Sequence, residues 1–163
     1  MTNGTQTMNK ERSIKILKYF NDIDGHIDFT RRVLREYEDK YYGLHSGNPS
    51  EGATSKTNRI SNPTETAALN IPDIASEKMN ELCFGIEQLR KLQTEILTEI
   101  CKLPLVEKNI ITYFYLKGFQ WVQISMRVNF SETQCKKIRN RALEKLGGYF
   151  EENVHIKNFN YPF

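Results

Sequence analysis

No apolar run in this chain approaches the roughly 20 residues that a membrane-crossing helix needs, and the mean hydropathy of −0.58 is too polar for a membrane-embedded protein. Residues 1–8 lack the basic patch and apolar stretch of a secretory signal, so a cytoplasmic location is expected. Cysteine is scarce. Cys83, Cys101 and Cys135 are odd in number and widely spaced, which argues against a disulfide framework or a zinc site and for reduced core residues. Histidine is as sparse: His26, His45 and His155 lie far apart, so no metal site is expected. Asp22, Asp24, Gly25 and Asp28 resemble a calcium loop only faintly, since Val33 stands where the bidentate glutamate belongs. There is no glycine-rich phosphate loop, no Ser-His-Asp order and no nucleophile elbow. Without a residue for catalysis or a cofactor, an enzyme is not expected.

What is present is a charge asymmetry. The net charge of +3 is small, but residues 104–147 carry eight Lys or Arg against three Glu, a net +5, leaving about −2 for the rest. A basic module on a mildly acidic remainder is the distribution expected when one end meets phosphates.

Hydrophobic periodicity then divides the chain into an all-α arrangement. An apolar stripe steps by four and three through Ile16, Phe20, Ile23, Ile27, Thr30, Leu34, Tyr37 and Tyr41. A second runs through Met79, Leu82, Ile86, Leu89, Gln93, Ile96, Ile100 and Leu103 in the opposite phase. Each spans about 36 Å as a helix. The spacing predicts a long antiparallel, coiled-coil-like hairpin over 11–42 and 74–103, with Ile16 near Leu103 and Tyr41 near Met79, although a parallel seam between two copies fits the same residues. Residues 1–10 read as a disordered N-terminus. Residues 43–73, rich in Gly, Ser, Asn, Thr and Pro, read as a flexible polar loop. Residues 148–163 follow a Gly147-Gly148 helix stop and form an aromatic tail that packs on its own body or docks on another subunit.

Residues 104–147 predict a three-helix module. Pro104 opens a helix whose apolar face is Ile110, Ile111, Phe114 and Tyr115, and Lys117-Gly118 closes it. A short helix over 120–128 turns Trp121, Ile124 and Val128 inward, and Asn129-Phe130 makes a tight turn. Ser131 with Gln134 three residues on forms a capping box for the last helix, whose buried face is Cys135, Ile138, Ala142 and Leu146. Glu132, Thr133, Lys136, Lys137, Arg139, Asn140 and Arg141 are left for solvent. Two short helices, a three-residue turn and a basic second helix make a helix-turn-helix, whose second helix enters the major groove of duplex DNA by its N-terminal end. Glu132, Thr133 and Lys137 are placed for base edges, and the long cations on the flanks of the helix, Lys136, Arg139 and Arg141, for the phosphate backbone. An ordinary solvated basic face fits the same periodicity.

The glycine before the first helix, Ile124 within it, Ser131 opening the second, and Arg141-Ala142-Leu143 with Lys145-Leu146 closing it resemble the promoter-binding domain of bacterial sigma factors known as region 4. With the helical hairpin and the polar loop carrying Ser46-Gly47-Asn48-Pro49 and Asn62-Pro63-Thr64-Glu65, the chain is similar to the ArpU- and RinA-like phage and prophage transcriptional regulators of Gram-positive bacteria. That resemblance implies activation of late phage genes with host RNA polymerase, with Glu132, Thr133 and Lys137 as base readers and Gln120, Ser131, Lys136, Arg139 and Arg141 on the DNA backbone, where Asn140 is also expected; Glu132 stands where a basic residue is usual. Two other functions share these features. One is DNA packaging like a phage terminase small subunit, and the other a protein-interaction module that does not touch DNA. A homo-oligomer through the hairpin or the aromatic tail is compatible with each.

Overall fold

The computed structural model describes residues 3–42 and 73–163, and every regular element among them is a helix. Six α-helices follow one another: α1 (Asn3–Tyr42), α2 (Asp73–Cys101), α3 (Leu105–Ile111), α4 (Trp121–Val128), α5 (Glu132–Glu152) and α6 (Val154–Asn158), with a π turn, Thr112–Leu116, continuing α3. None of the helices is long and apolar enough to cross a membrane among the described residues. The expected 43–73 loop lies outside them except for Asp73, which opens α2. At its start, α1 extends upstream of the apolar stripe to Asn3.

Two compact units divide the chain, Met1–His26 with Gln88–Phe163, and Ile27–Glu87. In the first, Ile16, Leu17 and Ile23 of α1 and Leu92, Ile96 and Ile100 of α2 are buried, each contributing roughly 2 kcal/mol of apolar transfer. Gln93, the polar member of its stripe, donates from Nε2 to Asp24 Oδ1 at 3.1 Å. That contact lies within two residues of the antiparallel register that sets Ile16 beside Leu103.

Leu17 and Tyr19 are buried although they lie off the stripe, because α1 in this unit is covered on a second side by the C-terminal third. Arg12 reaches Glu151 and the carbonyl of Lys157. Asn21 donates to the Tyr115 carbonyl at 2.6 Å, satisfying a backbone acceptor where the π turn ends. The aromatic tail folds onto Tyr19, whose ring lies 6.2, 5.7 and 6.3 Å from those of Phe159, Tyr161 and Phe163. Asn153 ties the end of α5 to α2. Its Oδ1 caps α6 by accepting from His155 and Ile156, while its Nδ2 donates to Glu95 and Glu99 at 2.9 and 2.8 Å. Glu99 is almost fully buried and pairs with Lys102 at 2.6 Å.

Two expectations are corrected. Gly147-Gly148 does not stop a helix: α5 continues to Glu152. Two interior glycines cost about 1 kcal/mol each against alanine, but Leu143, Leu146 and Phe150 bury along one face and carry the helix through. Of the three cysteines only Cys135 is in the core, whereas Cys83 and Cys101 are exposed free thiols. Both follow a stripe position by one residue, about 100° around the helix from the seam.

The second unit comprises the C-terminal part of α1 and the N-terminal part of α2. Ile27, Ala75 and Met79 are buried there, while Leu34, Tyr37, Tyr41, Leu82 and Ile86 are half-buried. Tyr37 and Tyr41 stack with their centroids 6.2 Å apart and share an open groove with Ile74, Ala75 and Lys78. The C-terminal turns of α1 thus lie along the first turns of α2, again antiparallel.

Burial pushes the Tyr161 hydroxyl well above its ordinary pKa, and its oxygen is buried without a hydrogen-bond partner. Because burial opposes ionisation in the fold, deprotonation above the ordinary value of 10.0 progressively favours the unfolded chain, a loss of stability that is absent below that pH. Tyr161→Phe, which removes the orphaned hydroxyl, is expected to raise stability by about 1 kcal/mol at neutral pH. It also extends the folded range above pH 10. Urea unfolding followed by circular dichroism at both pH values checks this; a loss of stability on removing the hydroxyl would contradict it.

Candidate nucleic-acid interface

Pro104 takes the N-cap position of α3 with φ −52° and ψ 146°, and its carbonyl accepts from Lys108 at 2.9 Å. From Thr112 the helix widens by one residue into a π turn, with Lys117 bonding back to Thr112 at 3.0 Å. Gly118, at φ +65°, lets the chain leave, and Phe119 N bonds to Tyr113 O at 2.9 Å. Gln120 then caps α4, its backbone N–H donating to Gln123 Oε1 at 3.0 Å.

The turn between α4 and α5 takes the left-handed conformation at Asn129, φ 55°. Asparagine tolerates that region where a β-branched residue does not. Ser131 next returns to extended backbone and its Oγ accepts from Gln134 N at 3.2 Å, fixing the start of α5. Ile110, Ile124, Cys135 and Ile138 make one buried cluster under α3, α4 and α5. The inward positions expected for α5, Cys135, Ile138, Ala142 and Leu146, are all buried, as are Ile110, Ile111, Tyr115 and Ile124, whereas Phe114, Trp121 and Val128, also expected to face inward, are half-buried.

Around that cluster lies an aromatic layer whose significance periodicity alone did not reveal. Phe114 stacks on Trp121 at 4.4 Å and Tyr113 on Phe119 at 5.6 Å. Cations sit over these rings. Arg139 lies 5.3 Å from Trp121 and 5.6 Å from Phe114, and Lys136 lies 5.7 Å from Trp121. Arg127 lies 4.8 Å from Phe119, and Lys117 5.5 Å from Tyr113. Each contact is worth roughly 0.5–1 kcal/mol at an exposed site. Their shared effect is to hold long basic side chains against the module with the charge still accessible. The interleaving of Tyr113, Phe114, Phe119 and Trp121 with Lys117 and Arg127 was the available sequence signal.

The residues assigned to base edges stand apart from this layer. Thr133 and Lys137 are exposed, with no hydrogen bond or ion pair among the described residues, while Glu132 is half-buried and pairs with Lys136 at 3.9 Å. Thr133, Lys137, Asn140 and Glu144 follow one another by four, three and four residues along one side of α5. Asn140 is half-buried and accepts from Arg139 at 2.9 and 3.3 Å. Ser131 and Gln120 are engaged at helix starts, as described. No protein family, curated protein or solved structure matches the chain. The geometry therefore stands alone.

Arg141 lies elsewhere. With Lys145 it faces Glu107 of α3, a carboxylate buried in the module. Lys145 Nζ meets both Glu107 oxygens at 2.9 Å, and Arg141 Nε lies 3.6 Å from one of them. Removing either partner of so enclosed a pair leaves a carboxylate short of compensation, so these two cations have a packing duty as well as any external one. Burial raises the pKa of the Tyr115 hydroxyl and of the Cys135 thiol; the Arg139 charge opposes the first shift. Among the described residues no cluster of His, Cys, Asp or Glu could hold a metal ion.

Asn129→Val should cost about 1–2 kcal/mol, because the left-handed backbone disfavours a β-branched side chain, whereas Asn129→Gly should be tolerated within a few tenths. Thermal melting read through the single tryptophan, Trp121, which sits inside the aromatic layer, measures both. Equal stability of the two variants would show that the turn does not depend on this conformation.

Proposed function

We propose that the protein is a sequence-specific regulator of transcription that binds double-stranded DNA through the 104–147 module and acts with host RNA polymerase. The observation that carries this reading is the exposed start of α5. A serine-capped helix follows a left-handed turn and presents Thr133 and Lys137 unpartnered, with Lys136 and Arg139 held on aromatic rings beside them. A helix entering the major groove by its N-terminal end offers such residues to base edges, with flanking cations fixing register on the phosphates. On this reading Lys137 donates to guanine and Glu132 accepts from cytosine, with Thr133 between them. The resemblance to ArpU- and RinA-like regulators makes late genes of a phage or prophage the proposed target and activation the proposed sign.

The module's net charge of +5 makes affinity strongly salt-dependent. With about five phosphates neutralised, log affinity falls with log salt at a slope of about −4.5. Fluorescence anisotropy on genomic fragments selected by the protein measures this, and a flat response would rule out the phosphate contacts. Lys136→Ala is expected to weaken all sequences about equally. Lys137→Ala costs about 1–3 kcal/mol at one base position and relaxes discrimination there.

Initiation by a complete sigma factor also requires exposed aromatic side chains that capture unstacked promoter bases. Phe20, Tyr37 and Tyr41 are half-buried along the helical hairpin, whereas Phe29 and Phe84 are exposed, so the transcription assay, not aromatic exposure, separates binding to closed duplex from autonomous initiation. In transcription from the selected DNA, the expected result is stimulation with holoenzyme and no specific product with core polymerase alone. A specific transcript from core polymerase plus this protein would make it an autonomous sigma factor.

A further inference from the structure

Two helices alone can hide only the line along which they touch, and the Ile27–Glu87 unit leaves much apolar surface outside that line. Phe29, Ile74 and Phe84 are 63%, 80% and 61% exposed. On α1 the apolar positions extend beyond the seam, because Phe29 and Val33 lie beside it, four residues apart, and Val33 is four residues before the seam residue Tyr37. On the same side an open groove of about 500 Å³ runs between Tyr37 and Tyr41 of α1 and Ile74 of α2. Gly85 adds an independent sign. A glycine inside a helix costs stability against alanine, yet a Cβ built at Gly85 meets nothing within 4 Å. No contact within the described chain requires glycine there; close approach by another helix would.

The segment joining α1 to α2 is a poor cover by composition, since residues 43–72 contain only Leu44, Ile60, Leu69 and Ile71 as large aliphatic residues. A second copy of the chain is a good one. Arg32 and Glu36 follow Phe29 by three and seven residues on its exposed side, and neither is in an ion pair among the described residues. In a twofold contact each surface meets itself, so two α1 helices crossing antiparallel near residue 34 set Arg32 of each against Glu36 of the other. We propose that the face carrying Phe29, Arg32, Val33, Glu36 and Gly85 packs on the same face of a second chain, forming a dimer with a four-helix core. This inference goes beyond the DNA reading and does not rest on it. A dimer that also bound DNA would carry two reading modules and favour sites with two half-sites.

The test is sedimentation equilibrium of the full chain without DNA at micromolar concentration, so that its outcome is separate from any DNA result. The expected mass is about 38 kDa, twice the 19.1 kDa of one chain. Phe29→Glu and Gly85→Leu each should weaken the dimer about tenfold or more while the helical circular dichroism is retained. Gly85→Leu places its side chain in open space, so it tests the contact even where Phe29→Glu disturbs the fold. Arg32→Glu should also weaken the dimer, and adding Glu36→Arg to the same chain should restore it. A wild-type mass of one chain, a ring of eight or more subunits, or a dimer indifferent to both Phe29→Glu and Gly85→Leu overturns the proposal. The ring would instead favour a packaging role.

Discussion

The stack of Trp121 on Phe114, with centroids 4.4 Å apart, joins the first turn of α4 to the π turn that ends α3. From α5, Arg139 rests on both rings and Lys136 on Trp121, so three elements are tied at one place. The aliphatic cluster of Ile110, Ile124, Cys135 and Ile138 supplies the apolar burial beneath, but burial is not directional. The stacked rings and the cations over them add orientation. They set which side of α5 carries extended basic chains, and they leave Thr133 and Lys137 on a neighbouring surface with nothing else to bind.

A second set of constraints ties the module into the first unit. Asn21 meets the carbonyl of Tyr115, Arg12 reaches Glu151, and Asn153 joins Glu95 and Glu99 to the cap of α6. These are polar anchors at the ends of helices, where backbone groups would otherwise lack partners. The first turns of α1 and the last turns of α2 therefore form one compact unit with the module, and Leu17 and Tyr19 are buried within it although they lie off the stripe.

Periodicity was enough to read the two long helices and the faces they bury, because Ile16, Ile23, Ile27, Ile96 and Ile100 repeat with the spacing of a helix face and are buried. It left a parallel seam between two copies equally open, and the antiparallel register came from contacts such as Gln93 with Asp24. The inner face of α5 was legible for the same reason, sharpened by the Ser131 cap. What periodicity could not supply was the identity of a second neighbour. Leu17 and Tyr19 looked like ordinary off-stripe positions until the C-terminal third covered them. Gly147-Gly148 looked like a stop because local propensity was weighed without the burial of Phe150 beyond it. Within the candidate interface, the exposed Thr133 and Lys137 follow from helix phase. The Arg141 contact with Glu107 depends on a helix 30 or so residues upstream, and no local pattern encodes it.

The π turn has a consequence for how the chain tolerates change in length. A π turn is an α-helix holding one residue more than its ladder needs, and Thr112–Leu116 is placed between α3 and the two helices of the candidate reading unit. Deleting one residue there would let the ladder close as an ordinary α-helix, but everything downstream would turn by about 100° and shift by about 1.5 Å. Phe114 would then lose Trp121, and Tyr115 would lose Asn21. The extra residue thus works as a phase setting: sequence can drift across this segment far more easily than its length can.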